Sequence, residues 1–152
     1  MRILGLVLVA CVVQACASGP ADPSLDAEAK LFRAPVDKAC IYVVPSPRAQ
    51  AVTITMDGRK VGTLAKENYL RLDVAPGRHA LGVTRASPVP TFFRATRDDM
   101  TVNAEAGRCY FLRAAWTDSG ETWREFRLYL AIMTEDEGRR AVNVLWRALP
   151  VQ

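Results

Sequence analysis

The sequence predicts a mainly β protein: an antiparallel β-sandwich or barrel of about seven to eight strands, followed by one C-terminal α-helix. From residue 39 onward apolar and polar residues alternate, which is the period of a half-buried strand. Glycines and prolines separate most of these runs at short spacing, as in antiparallel sandwiches and unlike α/β folds. The alternation ends near Met133, where a helical pattern replaces it.

The first strands are joined by a predicted hairpin. Residues 40–44 form a β-branched and aromatic run, residues 52–56 alternate, and residues 60–64 restart the extended pattern. Asp57-Gly58 separates the last two runs, and this dipeptide readily takes the positive φ angles of a tight hairpin turn. Pro47 and Pro45 end the first run.

A second reversal is predicted at Pro76-Gly77, where proline presets the first turn position and glycine accepts a positive φ at the second. Residues 70–74 alternate before this turn, and residues 81–83 carry the return strand. Three further strands are predicted after the proline-rich loop 87–90: residues 92–102 (interrupted near Asp98-Asp99), 109–116 and 123–133.

A helix is predicted at the C-terminal end. Thr134 and Glu137 have the spacing of a capping box, in which each side chain satisfies a backbone N–H group of the first turn. The apolar residues that follow fall on one helical face, and Pro150 ends the helix; that face consists of Ala141, Val142, Leu145, Ala148 and Leu149.

Residues 1–15 have the pattern of an export signal. Arg2 supplies the positive start, and residues 3–13 form an uncharged apolar run that is too short to span a bilayer. The stretch 13–16 (VQAC) resembles the lipobox of bacterial lipoproteins, which implies cleavage before Cys16 and lipidation of its thiol. Cys11, preceded by LVA, is the alternative lipidation site, and an ordinary secretory signal is the simpler alternative.

The lipobox defines the predicted domain organisation. We expect a lipidated N-terminus and tether over residues 16–35, because Pro20 and Pro23 argue against regular structure at its start. Residues 25–32 could instead form a short helix, but a tether is the simpler interpretation. A β-sandwich domain with its C-terminal helix is expected over residues 36–152. Ala17, and not aspartate, follows Cys16, which by the usual Gram-negative sorting pattern favours an outer-membrane protein facing the periplasm. The membrane is therefore the first predicted partner, through the N-terminal lipid.

Composition and charge exclude some functional classes. Half of the residues are hydrophobic and 24% are charged, as in a folded globular protein. Removal of residues 1–15 deletes one basic residue, Arg2, and lowers the formal net charge from +4 to +3. So small an excess does not indicate a nucleic-acid partner.

The motifs from residue 39 to residue 112 resemble a known family when they are taken in order. They are the run 39–44, the stretch 52–64 with its DGRKVG turn, Asn68-Tyr69, the stretch 74–79 (VAPGRH) and the stretch 106–112 (AGRCYFL). This order resembles the uncharacterised bacterial lipoprotein family called domain of unknown function 2846, and is similar in layout to PEGA-type surface modules. The resemblance covers roughly residues 38–149. It implies an immunoglobulin-like or PEGA-like β-sandwich on an envelope protein, and it supplies no catalytic residues.

The remaining cysteines and the one histidine are the first candidate site residues. Cys40 and Cys109 each begin a predicted strand and lie in an oxidising compartment if the protein is exported, so we expect a disulfide in preference to two free thiols, and with it pairing of the two strands. Two cysteines and one distant histidine supply fewer ligands than the four that a metal site usually has, so no metal is expected. No cofactor is expected either. His79 shares a face with Leu81 and Val83, which favours a hydrogen-bonded structural role over that of a general base.

Four aromatic side chains are the candidate partner or ligand surface: Phe92, Phe93, Trp116 and Trp123. In an alternating strand one of two adjacent aromatics must face outward, so their exposure alone is expected. The acidic residues Asp98-Asp99 and 135–137 suit a turn and a helix N-terminus better than a catalytic carboxylate pair.

The sequence leads to three functional hypotheses in order of preference. The first is a non-enzymatic, lipid-anchored binding or structural module for an envelope protein or a cell-wall component. The second is a carrier or sensor of a small apolar ligand held within the sandwich. The third is a hydrolase that uses His79, which lacks a nucleophile at a recognisable spacing.

Overall fold

The computed structural model describes residues 21–47, 50–86, 94–97, 99–118 and 125–150. In these ranges the chain forms two helices and ten strands. The elements are α1 (Pro23–Ala29), β1 (Ala39–Pro45), β2 (Val52–Met56), β3 (Arg59–Leu64), β4 (Asn68–Val74), β5 (Gly77–Arg85), β6 (Arg94–Arg97), β7 (Met100–Ala104), β8 (Cys109–Asp118), β9 (Glu125–Ile132), α2 (Glu135–Asn143) and β10 (Trp146–Ala148).

The strands form two sheets that pack face to face as a sandwich. The six-stranded sheet has the order β10-β4-β1-β8-β9-β6, and the four-stranded sheet has the order β3-β2-β5-β7. The core between them contains alternate residues of both sheets, among them Ile41, Ile54, Leu70, Leu81 and Leu112, all at most 1% exposed. The prediction of a mainly β sandwich with a C-terminal helix is confirmed.

The predicted antiparallel pairing does not extend to every pair of neighbouring strands. Within the described residues three neighbouring pairs are parallel: β1 with β8, β4 with β10 and β6 with β9. The reason is that the chain passes repeatedly between the two sheets: β2 and β3 separate β1 from β4 along the chain, and β5 and β7 separate β4 from β8, although these four strands belong to the other sheet. Strands that are distant in sequence therefore become neighbours, and such pairs need not run in opposite directions.

The two predicted turns have different roles. Asp57 (φ 51°) and Gly58 (φ 80°) both take positive φ and join β2 to its antiparallel neighbour β3, which confirms the predicted hairpin. Pro76-Gly77 also reverses the chain, with Gly77 at φ 136°. However, β5 pairs with β2 and β7 and not with β4, so this turn carries the chain from one sheet to the other.

A second apolar layer covers the outer face of the six-stranded sheet. Tyr42, Tyr69 and Phe111 point away from the sandwich core and are buried beneath α1, α2 and Phe32. The rings of Tyr42 and Phe111 stack with centroids 5.1 Å apart. Both faces of the central strands are therefore buried, which agrees with the unbroken burial of β1 from Ala39 to Pro45.

The predicted C-terminal helix is shorter than expected. Its capping box is present, since Glu137 N donates to Thr134 Oγ1 (3.4 Å) and Thr134 N donates to Glu137 Oε2 (3.1 Å). The helix nevertheless ends at Asn143, and Trp146–Ala148 forms β10 beside β4. Pairing satisfies backbone groups of β4 at this edge and buries Ala148 in the sandwich core, which a continued helix would not do.

The predicted tether over residues 16–35 is wrong for the part that the structure describes. Asp22 caps α1, whose first residue is Pro23, and Ala29 is completely buried against the outer layer. The expectation of a tether took Pro20 and Pro23 as signs of irregular chain. Proline at the first helical position, directly after an aspartate cap, is instead a common helix start.

Candidate functional site

The two predicted disulfide cysteines are bonded to each other. Cys40 in β1 and Cys109 in β8 are direct partners in the parallel register, with Cα atoms 4.5 Å apart and a sequence separation of 69. The bond lies on the outer face of the six-stranded sheet, in the layer that contains Tyr42. Both the disulfide and the predicted pairing of its two strands are confirmed.

Both ring nitrogens of His79 are within hydrogen-bond distance of residues at the two turns. Its Nδ1 lies 2.8 Å from Asp57 Oδ2 and its Nε2 lies 2.8 Å from the carbonyl oxygen of Ala75. Both partners accept hydrogen bonds, so both ring nitrogens donate only when the imidazole is protonated. The hydrogen bonds that His79 donates to Asp57 and Ala75 accordingly raise the pKa of its imidazole. Both nitrogens are engaged with the protein, as the structural role requires.

Of the four residues of the predicted aromatic surface, the structure describes one, Trp116. Phe92, Phe93 and Trp123 lie outside the described residues. Trp116 is half-buried against the sandwich core and lines a cavity of about 130 Å³. The other described residues of the lining are Gln50, Ala51, Val52, Arg85 and Leu128.

A larger groove lies beside β7, and the sequence analysis did not predict it. Its volume is about 390 Å³, and it is lined by residues of β7 and β8 and by the Ile132–Glu135 corner. Among the described residues β7 is an edge strand of the four-stranded sheet. Ile132 is 75% exposed at this groove, although Leu128 and Leu130, at alternate positions of the same strand, are buried. We call this surface the β7 groove.

The second unpredicted feature is the docking of α1 through Asp26. This buried carboxylate accepts hydrogen bonds from Tyr69 Oη (2.9 Å) and from the backbone N–H of Arg147 (2.9 Å), and its Oδ2 lies 2.7 Å from Lys30 Nζ. Burial opposes ionisation of Asp26, but these hydrogen bonds and the charge of Lys30 outweigh burial and lower its pKa. The sequence signal that could have found this site is the Asp22-Pro23 helix start.

The described acidic side chains do not form a metal site, and Asp98 lies outside the described residues. In the parts of the chain that the structure describes, no group of three or more His, Cys, Asp or Glu side chains could hold a metal ion. Glu135, Asp136 and Glu137 occupy the first turn of α2, as predicted. None of the helices in the described ranges is long and apolar enough to cross a bilayer.

Comparison with known proteins gives one family. The family model described as "Protein of unknown function (DUF2846)" matches residues 35–124, which is more than half of the chain. This confirms the resemblance seen in the sequence motifs. The match begins after α1 and ends before β9, so the docking helix and the C-terminal elements lie outside it. No curated protein matches the chain.

Proposed function

The chain belongs to the DUF2846 family, whose function is unknown, and we propose that it is a lipid-anchored envelope protein with a non-enzymatic role. In this proposal Cys16 carries the lipid, and the sandwich binds another envelope protein or a cell-wall component on the periplasmic side of the outer membrane. The disulfide is the observation that carries the proposal, and the β7 groove is the surface that we propose for binding.

The disulfide supports export because cytosolic thiols are kept reduced. Cys40 and Cys109 are central in the six-stranded sheet, on adjacent strands in direct register, so the bond belongs to the folded structure and not to a mobile loop. Export agrees with the signal pattern of residues 1–15, and the lipobox then makes Cys16 the point of attachment.

The β7 groove supports binding because it combines an edge strand with exposed apolar area. An edge strand presents unpaired backbone groups on which an extended segment of another protein can pair. Val102 of β7 is buried in the core, whereas Thr101 and Asn103 are exposed. A partner strand beside β7 would cover Ile132, which is otherwise an exposed large apolar side chain.

Metabolic labelling with radioactive palmitate tests the anchor. We expect label in the wild type and in Cys11→Ser, and loss of label together with retention of residues 1–15 in Cys16→Ser. Label that persists in Cys16→Ser and disappears in Cys11→Ser would move the anchor to Cys11. An unlabelled wild type would overturn the anchored location altogether.

Site-specific photo-crosslinking in living cells tests the binding surface. A photoreactive amino acid at Ile132 is expected to give a discrete, reproducible adduct with an envelope protein or with peptidoglycan. The same amino acid at Val36, which is 95% exposed and outside the groove, serves as the matched control. Equal adducts at both positions, or none at Ile132, would contradict binding at the β7 groove.

The cavity beside Trp116 favours a carrier of a small apolar ligand as the second candidate function. Its volume of about 130 Å³ is close to that of an engineered apolar cavity that binds benzene, about 150 Å³. It is smaller than drug-sized sites, which measure about 300–1,000 Å³. Native mass spectrometry of the purified protein distinguishes the two functions, since a co-purifying small apolar molecule would favour the carrier.

The hydrolase remains the third hypothesis. Its test is a comparison of His79→Ala with the wild type on a panel of ester, amide and glycoside substrates. We expect no turnover that depends on His79. A turnover that this substitution abolishes while the circular dichroism spectrum is unchanged would overturn the non-enzymatic proposal.

A further inference from the structure

The described chain begins at a defined place on the domain, beside β10. The backbone N–H of Ala21 donates to the carbonyl oxygen of Arg147 (2.8 Å), and Arg147 Nη1 donates to the carbonyl oxygen of Leu25 (3.0 Å). With the bond from the Arg147 backbone N–H to Asp26, three hydrogen bonds join the N-terminal segment to β10. Residue 21 is therefore held at the β10 edge of the six-stranded sheet.

The distance from the anchor to this edge is short. Five residue steps separate Cys16 from Ala21, and at full extension they span at most about 18 Å. A folded domain of this size has a radius of gyration of about 14 Å. If Cys16 carries the lipid, the chain is too short to hold the domain well away from the membrane, and Ala21 stays within about 18 Å of the anchored residue.

The surface around Ala21 carries exposed apolar side chains. Trp146 of β10 is 59% exposed. Leu25 of α1 and Leu149, which directly follows β10, are each 39% exposed. We call these three residues the anchor-side surface. Lys30 Nζ lies 5.7 Å from the centroid of the Trp146 ring, so a cationic group is next to the aromatic one. Tryptophan and lysine with apolar neighbours are the side chains that favour a membrane–water interface.

From these observations we propose that the anchor-side surface lies against the lipid headgroups, with Trp146 at the level of the membrane interface. The inference rests on the proposed lipid anchor at Cys16 and deepens it by fixing the orientation of the domain. Asp22, which caps α1, and Glu28 of α1 are exposed acids, and Lys30 is paired with Asp26. The contact therefore depends on apolar and aromatic area and not on anionic lipid. Its dependence on salt is accordingly weak.

Depth-dependent quenching of tryptophan fluorescence tests this orientation. The mature acylated protein is reconstituted in vesicles of phosphatidylethanolamine and phosphatidylglycerol, with and without lipids brominated near the headgroup end of the acyl chains. The double variant Trp116→Phe/Trp123→Phe keeps Trp146 alone, and we expect loss of most of its fluorescence. The matched variant Trp123→Phe/Trp146→Phe keeps Trp116, which lines the cavity beside β2, and we expect little loss.

A longer tether gives an independent test. Insertion of about 20 glycine and serine residues after Ser18 adds a flexible reach of about 25 Å and leaves every residue of the domain unchanged. We expect the quenching of Trp146 to decrease while the protein still floats with the vesicles. Unchanged quenching would contradict the role of the short connection.

The outcomes separate this inference from the anchor itself. If the acylated protein floats with vesicles but Trp146 is not quenched by brominated lipid, the orientation is wrong and the anchor stands. If Trp146 in cell envelopes is also shielded from acrylamide, a protein covers the surface, and the inference is overturned in favour of a protein partner. If the protein neither incorporates palmitate nor floats, the anchor is wrong and the inference falls with it.

Discussion

At the scale of single residues, Asp57 joins the hairpin between β2 and β3 to strand β5. Its backbone N–H donates to the carbonyl oxygen of Ala80 (2.8 Å), and its Oδ1 accepts from the N–H of Ala80 (2.9 Å). The remaining oxygen, Oδ2, is 2.8 Å from His79 Nδ1. The bonds from His79 and Ala80 lower the pKa of Asp57, while those to Asp57 and Ala75 raise the pKa of His79.

These opposite shifts predict the pH dependence of stability. The stabilisation from His79 is fully present below its unfolded pKa, near 6.5, and is lost as the pH rises through the higher folded value. The stabilisation from Asp57 is lost as the pH falls through its lowered folded value. Because Asp57 is half exposed, solvent screening limits the effect of the pair to about 1 kcal/mol or less.

Urea denaturation at a mildly acidic and at an alkaline pH measures this effect. We expect the loss of unfolding free energy between the two pH values to be larger in the wild type than in Asp57→Asn. Asparagine keeps the acceptor for Ala80 and tolerates the positive φ of the turn. An identical pH dependence in both proteins would show that the pair does not contribute.

Asp26 is the second residue with a specific prediction. Asp26→Ala removes the acceptor of the Tyr69 hydroxyl, which is buried, and leaves Lys30 without its ion-pair partner. We expect the free energy of unfolding to fall by about 1–3 kcal/mol, because the Tyr69 hydroxyl group is left unsatisfied. Hydrogen exchange of the α1 amides should also become faster.

Glu28→Ala is the matched control for Asp26→Ala. It also removes a carboxylate from α1, but Glu28 is exposed, and surface substitutions usually change stability by about 0.5 kcal/mol or less. If both variants have the same stability and the same exchange rates, Asp26 does not hold α1 on the sheet.

At the scale of elements, α2 lies close to β8 through Gly138. A Cβ atom at this position would lie 2.2–2.4 Å from the Cγ, Cδ1 and Cβ atoms of Phe111. These atoms include the base of the side chain, so the ring cannot simply swing away. Gly138 therefore serves close packing between α2 and the outer layer, although glycine is a poor residue for a helix interior.

Gly138→Ala separates helix propensity from packing. Propensity alone predicts stabilisation by about 1 kcal/mol, whereas overpacking against Phe111 predicts destabilisation by about 1–3 kcal/mol. We expect the second result in thermal or urea unfolding. Arg140→Ala, at an exposed position of the same helix, should change stability little. A more stable Gly138→Ala would show that α2 can move outward without cost.

At the scale of the whole molecule, the disulfide closes a covalent loop that contains most of the strands. It joins residues 69 apart and encloses β2 through β7. A loop of this length restricts the unfolded chain and stabilises the fold by about 4 kcal/mol in the chain-entropy account. The bond also fixes the parallel register of β1 and β8, the two central strands of the larger sheet.

The double variant Cys40→Ala/Cys109→Ala is expected to lose about 4 kcal/mol of unfolding free energy. Reductant should lower the midpoint of denaturation of the wild type and leave that of the variant unchanged. Equal midpoints of the wild type with and without reductant would mean that the bond does not stabilise the fold. Loss of folding in the variant at growth temperature would agree with the expectation.

Features that depend only on neighbouring residues were predictable from the sequence. The Asp57-Gly58 hairpin and the Thr134 capping box follow from backbone preferences within four residues, and the alternating strands follow from a period of two. The disulfide was also predictable, because only Cys40 and Cys109 remain after the N-terminal cysteines are assigned to the signal and the lipid.

The tertiary structure alone decided which strands are neighbours and which short segments join the fold. Residues 146–148 have a helical apolar pattern, but pairing with β4 makes them a strand. Likewise α1 becomes part of the domain through a bond from Arg147 to Asp26, 121 residues away in sequence. Such contacts form between segments that are distant in sequence and meet only in the folded chain. The local pattern of either segment therefore does not identify its partner.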